Sequence, residues 1–281
     1  MRTLSELACD GLPPQRSSKS KPVEDVFSFV VHFNISPMTN SVKFRPYPGA
    51  DLVQANAPMV RAYQTVAAYQ AEHGEIGLTK SGAWNRHCID CVVRRMDFPN
   101  WTAEKLYSVN KVLNEYDVPP LEYLRVLLTS LRLGRKMGSG WRLTKPGMVL
   151  VGDPEAAFAT IAPAFLFRFD HSEGRRAGEA PVGDWHLWLH AINRMPWDGF
   201  TLPDLANLLH GPSAGGGWRG PAGGLFSAVA MPLEWVGLLT RTDSGGIDEM
   251  IWRKTPLWAA GLEFQPQTIS TNVVPFTRVD E

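Results

Sequence analysis

Cysteine is almost absent from this chain: its 281 residues carry three, Cys9, Cys88 and Cys91. So sparse and odd a set excludes a disulfide-stapled secreted scaffold and fits the reducing cytoplasm. No run of eighteen apolar residues occurs, so no helical membrane span is expected. Met1 to Pro22 lacks an apolar stretch of signal-peptide length and reads as a polar tail. Net charge is missing too, with 28 Lys and Arg against 28 Asp and Glu. Catalytic signatures are equally scarce. No serine stands in Gly-x-Ser-x-Gly, and no persuasive Cys–His–Asn order emerges. The glycine-rich stretch Gly211–Gly224 lacks the Lys-Ser/Thr ending of a phosphate loop. The expectation is therefore a protein that is not an enzyme and needs no cofactor.

What is present is a globular composition, 44% hydrophobic and 20% charged, with ample length for a core. The balanced charge is unevenly spread. Between Lys80 and Lys145 twelve basic residues face six acidic ones, whereas from Pro146 onward nine face fifteen. A basic middle points to anionic partners there, or to a solvated helix face.

Periodicity divides the chain. Residues 1–22 read as a disordered tail. In 23–57, Phe27, Phe29, Val31, Phe33 and Ile35 alternate as in a half-buried strand, and Ser41–Tyr47 is its expected partner in a small β-hairpin. Helical patterns follow at Pro58–Glu72, at Ala83–Met96 and after Thr102, and Pro119-Pro120 opens a helix with a Leu121, Leu124, Leu127, Leu128, Leu131 stripe. Gly134 to Thr144 is a glycine-rich basic turn between a helix and a short strand, the pattern of a β-wing. Asp153 starts the next helix. Residues 58–172 thus read as one winged-helix-like unit, 173–183 as a linker, and 184–264 as a second unit before a tail at 265–281. In the second unit Asp184 and Thr201 cap helices, and Leu225–Leu239 is a very apolar helix that Pro232 is expected to break. The fold class expected is mainly α (α+β), with tandem winged-helix-like units.

Two phrases repeat. Leu78-Thr79-Lys80-Ser81-Gly82 recurs as Leu143-Thr144-Lys145-Pro146-Gly147, with a degraded echo from Trp252 to Leu257 in which Pro256 replaces the glycine. Pro120-Leu121-Glu122-Tyr123-Leu124 is answered by Pro232-Leu233-Glu234-Trp235-Val236. On these residues the chain resembles a family of uncharacterised bacterial proteins carried as passengers on plasmids and insertion elements, over residues 58–170 and more loosely 183–262. The resemblance implies tandem winged-helix-like units and a mobile-element context, and no reaction.

A winged helix commonly lays one helix in the major groove of double-stranded DNA and its wing along the backbone, where Lys and Arg neutralise phosphates. The candidates are Arg125 and Arg132 on the leucine-rich helix, then Arg135, Lys136, Arg142 and Lys145 on the wing, with Arg86, Arg94 and Arg95 adding charge on an earlier helix. A DNA-binding protein of regulatory type is the leading reading. Its rival is an interaction scaffold, because the helix Leu225–Leu239 has no basic residue and suits a neighbouring unit, a homodimer or another protein partner. A third reading is a zinc-dependent enzyme. Cys88 and Cys91 lie three apart beside His87, and His186 and His190 lie four apart on one predicted helix. Neither set is complete, since a structural zinc site normally needs four ligands and Leu187 stands where a metalloprotease has glutamate. No metal is therefore assigned.

Overall fold

The structure is a computed structural model that describes residues 41–171, 181, 183–211, 220–242 and 245–265. The tail 1–22, the strand expected at Phe27–Ile35, most of the linker 173–183 and the tail beyond Gln265 lie outside them.

The first strand, β1 (Val42–Phe44), finds its observed partner at the other end of the described chain, in Leu262–Phe264. Val42 and Phe44 lie opposite Phe264 and Leu262, while Lys43 opposes Glu263 on the exposed side. Apolar cross-strand pairs inside and opposite charges outside fix that register. After α1 (Ala50–Asn56), α2 (Pro58–His73) buries Val60, Tyr63, Val66 and Ala67 as expected. A two-residue strand, β2 (Ile76–Gly77), follows. Next, α3 (Arg86–Arg95) starts three residues later than the periodicity suggests. The Asn85 side chain accepts the Cys88 N–H there, which caps the helix. Thr102 caps α4 (Ala103–Val109), and a 3₁₀ turn at Glu115–Asp117 leads into α5 (Pro119–Ser130). Leu121, Leu124, Leu127 and Leu128 of α5 are fully buried.

Helix α5 ends in a Schellman turn. Leu133 N–H bonds back to Leu128, Arg132 N–H bonds to Thr129, and Arg132 takes φ 59°. A side chain in that left-handed region costs about 1 kcal/mol that glycine avoids. Arg132→Gly should therefore raise stability by about 1 kcal/mol in urea denaturation, and a loss would show that the arginine side chain supports the fold.

The chain then forms the hairpin of β3 (Gly134–Met137) and β4 (Gly140–Leu143), with β2 on its other edge in the order β2-β4-β3. Beyond it come α6 (Lys145–Val151) and α7 (Pro154–Arg168), the latter capped by Asp153.

The second half opens with α8 (Trp185–Arg194) and α9 (Leu202–His210), capped by Asp184 and Thr201 as the sequence suggests. Pro232 does not break the next helix. A π-turn (Phe226–Ala230) joins α10 (Pro221–Leu225) to α11 (Met231–Val236), and Met231 N–H reaches back five residues to Phe226. The wider turn relieves the clash a proline ring makes with the carbonyl four residues earlier. The hairpin of β5 (Leu239–Arg241) and β6 (Trp252–Lys254) follows, then α12 (Pro256–Gly261) and β7 (Leu262–Phe264). Among the described residues no single helix is long and apolar enough to cross a membrane.

The repeated phrases prove unequal. In Leu78–Gly82 the chain makes a tight loop: Leu78 bridges to Trp84, Gly82 N–H bonds to Thr79, and Gly82 takes φ 84°. In Leu143–Gly147 the same letters end a strand and begin a helix. Thr144 caps α6, and Gly147 sits so close to the Leu133 carbonyl that a Cβ would lie 2.1 Å from it. The degraded echo is the better structural match. Thr144 N–H bonds to Leu133 and Thr255 N–H to Leu238, while Trp141 and Trp252 are buried at the same place in each hairpin. The Schellman turn recurs as well, with Leu238 N–H bonded to Leu233 and Gly237 in the left-handed position. By contrast Pro120 opens α5, whereas Pro232 lies deep in a continuous helical stretch, so that second pair of phrases is not equivalent.

One apolar cluster contains buried residues from both sides of the 173–183 linker. Helix α11 lies against α2 and α7, and its Trp235 meets Phe98, Tyr123 and Phe165. The apolar helix thus finds a covering surface within its own chain. Nearby, partly buried His171 is ringed by Phe165, Tyr123 and Trp185, and its Nε2 donates to the Phe165 carbonyl at 2.8 Å. Burial holds its pKa down at about 4, against an ordinary 6.5. Between those values the unfolded chain binds the extra proton, so stability falls as pH drops through that window. The loss should be on the order of 2 kcal/mol after allowance for partial exposure. His171→Gln should remove it in urea titrations at pH 7 and pH 4.

Candidate nucleic-acid interface

The β3–β4 hairpin is anchored from beneath. Trp141 is buried edge-on to Trp84, with ring centroids 5.0 Å apart, and its indole N–H donates to Thr129 Oγ1 at 3.0 Å. Because successive strand residues face opposite sides, Arg135 and Arg142 point away from Trp141, while Lys136, opposite Trp141, shares its side. Arg135, Lys136 and Arg142 are exposed, as are Arg132 at the hairpin's base and Lys145 just after it. Pairing brings four of the five together in twos. Arg135 stands directly opposite Arg142, and the Thr144 hydroxyl donates to the Arg132 carbonyl, holding the Lys145 end against the Arg132 end. With about 3.3 Å of rise per strand residue, β3 from Gly134 to Met137 spans about 10 Å, or about three base pairs of duplex.

Three of these placements work against the folded chain. Like charges directly opposite across a strand pair destabilise it, as Arg135 and Arg142 do. Lys145 occupies the first helical position of α6, the end where the helix dipole disfavours a cation. Arg132 holds the left-handed conformation already described. Among the described residues no carboxylate lies within ion-pair distance of any of the five.

Arg125 does not join them. Its Nε donates to both carboxylate oxygens of Glu115, at 2.7 and 2.9 Å, and the Glu115 side chain is only 1% exposed. Burial pushes the Glu115 carboxyl above its usual range, while Arg125 and the Trp84 N–H pull it back toward the carboxylate. The other helical arginines are engaged too: Arg94 with Asp90 at 2.9 Å, Arg95 with Glu72 at 2.7 Å, and Arg86 with the Asn114 side chain. Helix α5 itself is largely covered. Tyr123 meets Phe165, Phe169 and Trp235, leaving Thr129 and Ser130 exposed near its end. A groove-reading helix needs a free face of reaching side chains. Here the hairpin holds the available charge.

The residues weighed for metal are also placed. Cys88 is buried in the core, Cys91 is partly exposed, and both thiols are free. His186 lies against Phe167 and His190 against Phe264, with ring centroids 5.1 and 5.3 Å apart. Burial, and then His186, lower the His190 pKa. Sequence reading missed Glu115 as the partner of Arg125. Its position just ahead of a proline-led helix was the only local signal, since periodicity gives a residue's face and not its partner.

Fold and site together describe a mainly α-helical protein with small antiparallel sheets and a cationic hairpin. The chain belongs to the Y4jL family. The Y4jL N-terminal domain matches residues 55–156, which hold α2 through the start of α7 and all six basic candidates. Over 159 residues the chain is 38% identical to the uncharacterized protein y4jL of Sinorhizobium fredii (strain NBRC 101917 / NGR234), covering 56% of this chain and 72% of that relative. No solved structure matches it.

Proposed function

We propose that the protein binds double-stranded DNA without catalysing a reaction, holding backbone phosphates with Arg132, Arg135, Lys136, Arg142 and Lys145. The observation that carries this reading is a cluster of exposed cations that, among the described residues, has no carboxylate within ion-pair distance and is kept largely in places that cost the fold stability. Such costs are met at functional sites, where a ligand offsets them. The connections support a winged-helix description of residues 58–172: four helices, α2 to α5, and a short strand precede a hairpin, in a sheet ordered β2-β4-β3. Among the described residues of 184–264, α8, α9 and the stretch from α10 to α11 likewise precede a hairpin, with Phe200 bridging to Trp252 as Ile76 pairs with Trp141. Because α5 is covered, the expected contact is with the backbone and is indifferent to sequence. A scaffold role rests on the apolar helical stretch Pro221–Val236, and its buried residues are already used in the chain's own core. The test is fluorescence anisotropy of a labelled random-sequence duplex with the full chain. Association that weakens steeply with salt supports the proposal, and no association at low salt overturns it.

A further inference from the structure

A second cluster, separate from the cationic row, lies where α2 meets α3. His73 is the last residue of α2, and His87 and Cys91 are one turn apart on α3. One ligand atom from each lies within 4.8 Å of the others, with His87 Nε2 4.0 Å from Cys91 Sγ. Tyr69, one turn before His73, lays its ring against both imidazoles, at 4.6 and 5.9 Å between centroids. The two histidine rings are 5.3 Å apart and nearly perpendicular. In tetrahedral zinc, with bonds of about 2.1 Å to nitrogen and 2.3 Å to sulfur, neighbouring donors stand roughly 3.4–3.6 Å apart. Movements of about an ångström by partly exposed side chains would close these three around one ion.

We propose that His73, His87 and Cys91 form a binding site for a zinc-class transition-metal ion, clasping the end of α2 to α3. Two imidazoles and a thiolate suit zinc or cobalt, and exclude magnesium and calcium, which take oxygen donors. Glu72 Oε2 lies 3.7 Å from His73 Nε2 while Arg95 holds both Glu72 oxygens at 2.7 Å, so the fourth position falls to water or to this carboxylate once it leaves Arg95. Cys91 gives up its thiol proton to the medium as it ligates. Cys88 takes no part, since its side chain is buried in the core. The cysteine pair in the sequence therefore marks the right helix with the wrong partner, because His73 comes from another element.

The test uses the full chain, stripped with a chelator and titrated with cobalt(II) and with zinc. One ion per chain and a thiolate-to-cobalt charge-transfer band are expected. Cys91→Ser should abolish the band, and Cys88→Ala should keep it. His73→Gln and His87→Gln should each weaken zinc binding more than tenfold, since even outer partners of such ligands contribute 10–100-fold. Circular dichroism of each variant separates loss of a ligand from loss of the fold. Absence of the band in the unaltered chain at saturating cobalt, or its survival in folded Cys91→Ser, would overturn the proposal.

Discussion

Glu115→Ala should destabilise the protein by about 3–5 kcal/mol, read as a large fall in the urea midpoint with little change in slope. The carboxylate is almost wholly enclosed and accepts the Arg125 guanidinium twice and the Trp84 N–H once. Removing it leaves a guanidinium only 20% exposed without its counter-charge. Breaking one partner of such a pair is costly because the other charge stays desolvated. Replacing both with apolar residues is much milder, so Glu115→Leu combined with Arg125→Met should recover most of the loss. The double variant also separates Arg125 from the DNA-binding row. If Arg125 serves the fold alone, the double variant binds duplex as the unaltered chain does. A large drop in affinity with the fold intact would return Arg125 to the interface.

Charge reversal at Arg135, Lys136 and Arg142 should weaken duplex binding on the order of a thousandfold at about 50 mM salt, where counterion release contributes roughly tenfold per phosphate contact. The fold should survive, because all three side chains are exposed and Trp141 holds the hairpin from below. Arg135→Glu alone gives a sharper contrast. It converts a like-charge pair across the strands into an opposite one, which favours the hairpin by about 0.2–1 kcal/mol, yet removes a phosphate contact. Greater stability with weaker binding would identify a residue kept for its ligand. If binding were unaffected by the triple variant, the hairpin would not be the interface.

Local chemistry was the legible part of this sequence. Thr102, Asp153, Asp184 and Thr201 cap the helices they precede, because a short polar side chain beside free N–H groups is a signal complete in itself. The leucine stripe of α5 and the Gly134–Leu143 hairpin were legible for the same reason. Pairings between distant segments were not. Nothing near Ser41–Tyr47 announces Leu262–Phe264, and no helical period ties Glu115 to Arg125 or His73 to Cys91. The Leu-Thr-Lys-x-Gly phrase misled in another way. Threonine, lysine and glycine suit both a tight loop and a helix start, so identical letters at Leu78 and Leu143 serve different geometry. Their degraded echo at Trp252 keeps the buried tryptophan and the threonine, and it is the copy that shares the fold.

The salt dependence of duplex binding by the intact chain and by the hairpin charge-reversal variant decides the matter. With five phosphate contacts, the logarithm of affinity should fall against the logarithm of salt with a slope of about −4.5, and loss of three should reduce it to about −2. Equal slopes for the two proteins, or no binding by the intact chain at low salt, would contradict a phosphate-binding hairpin.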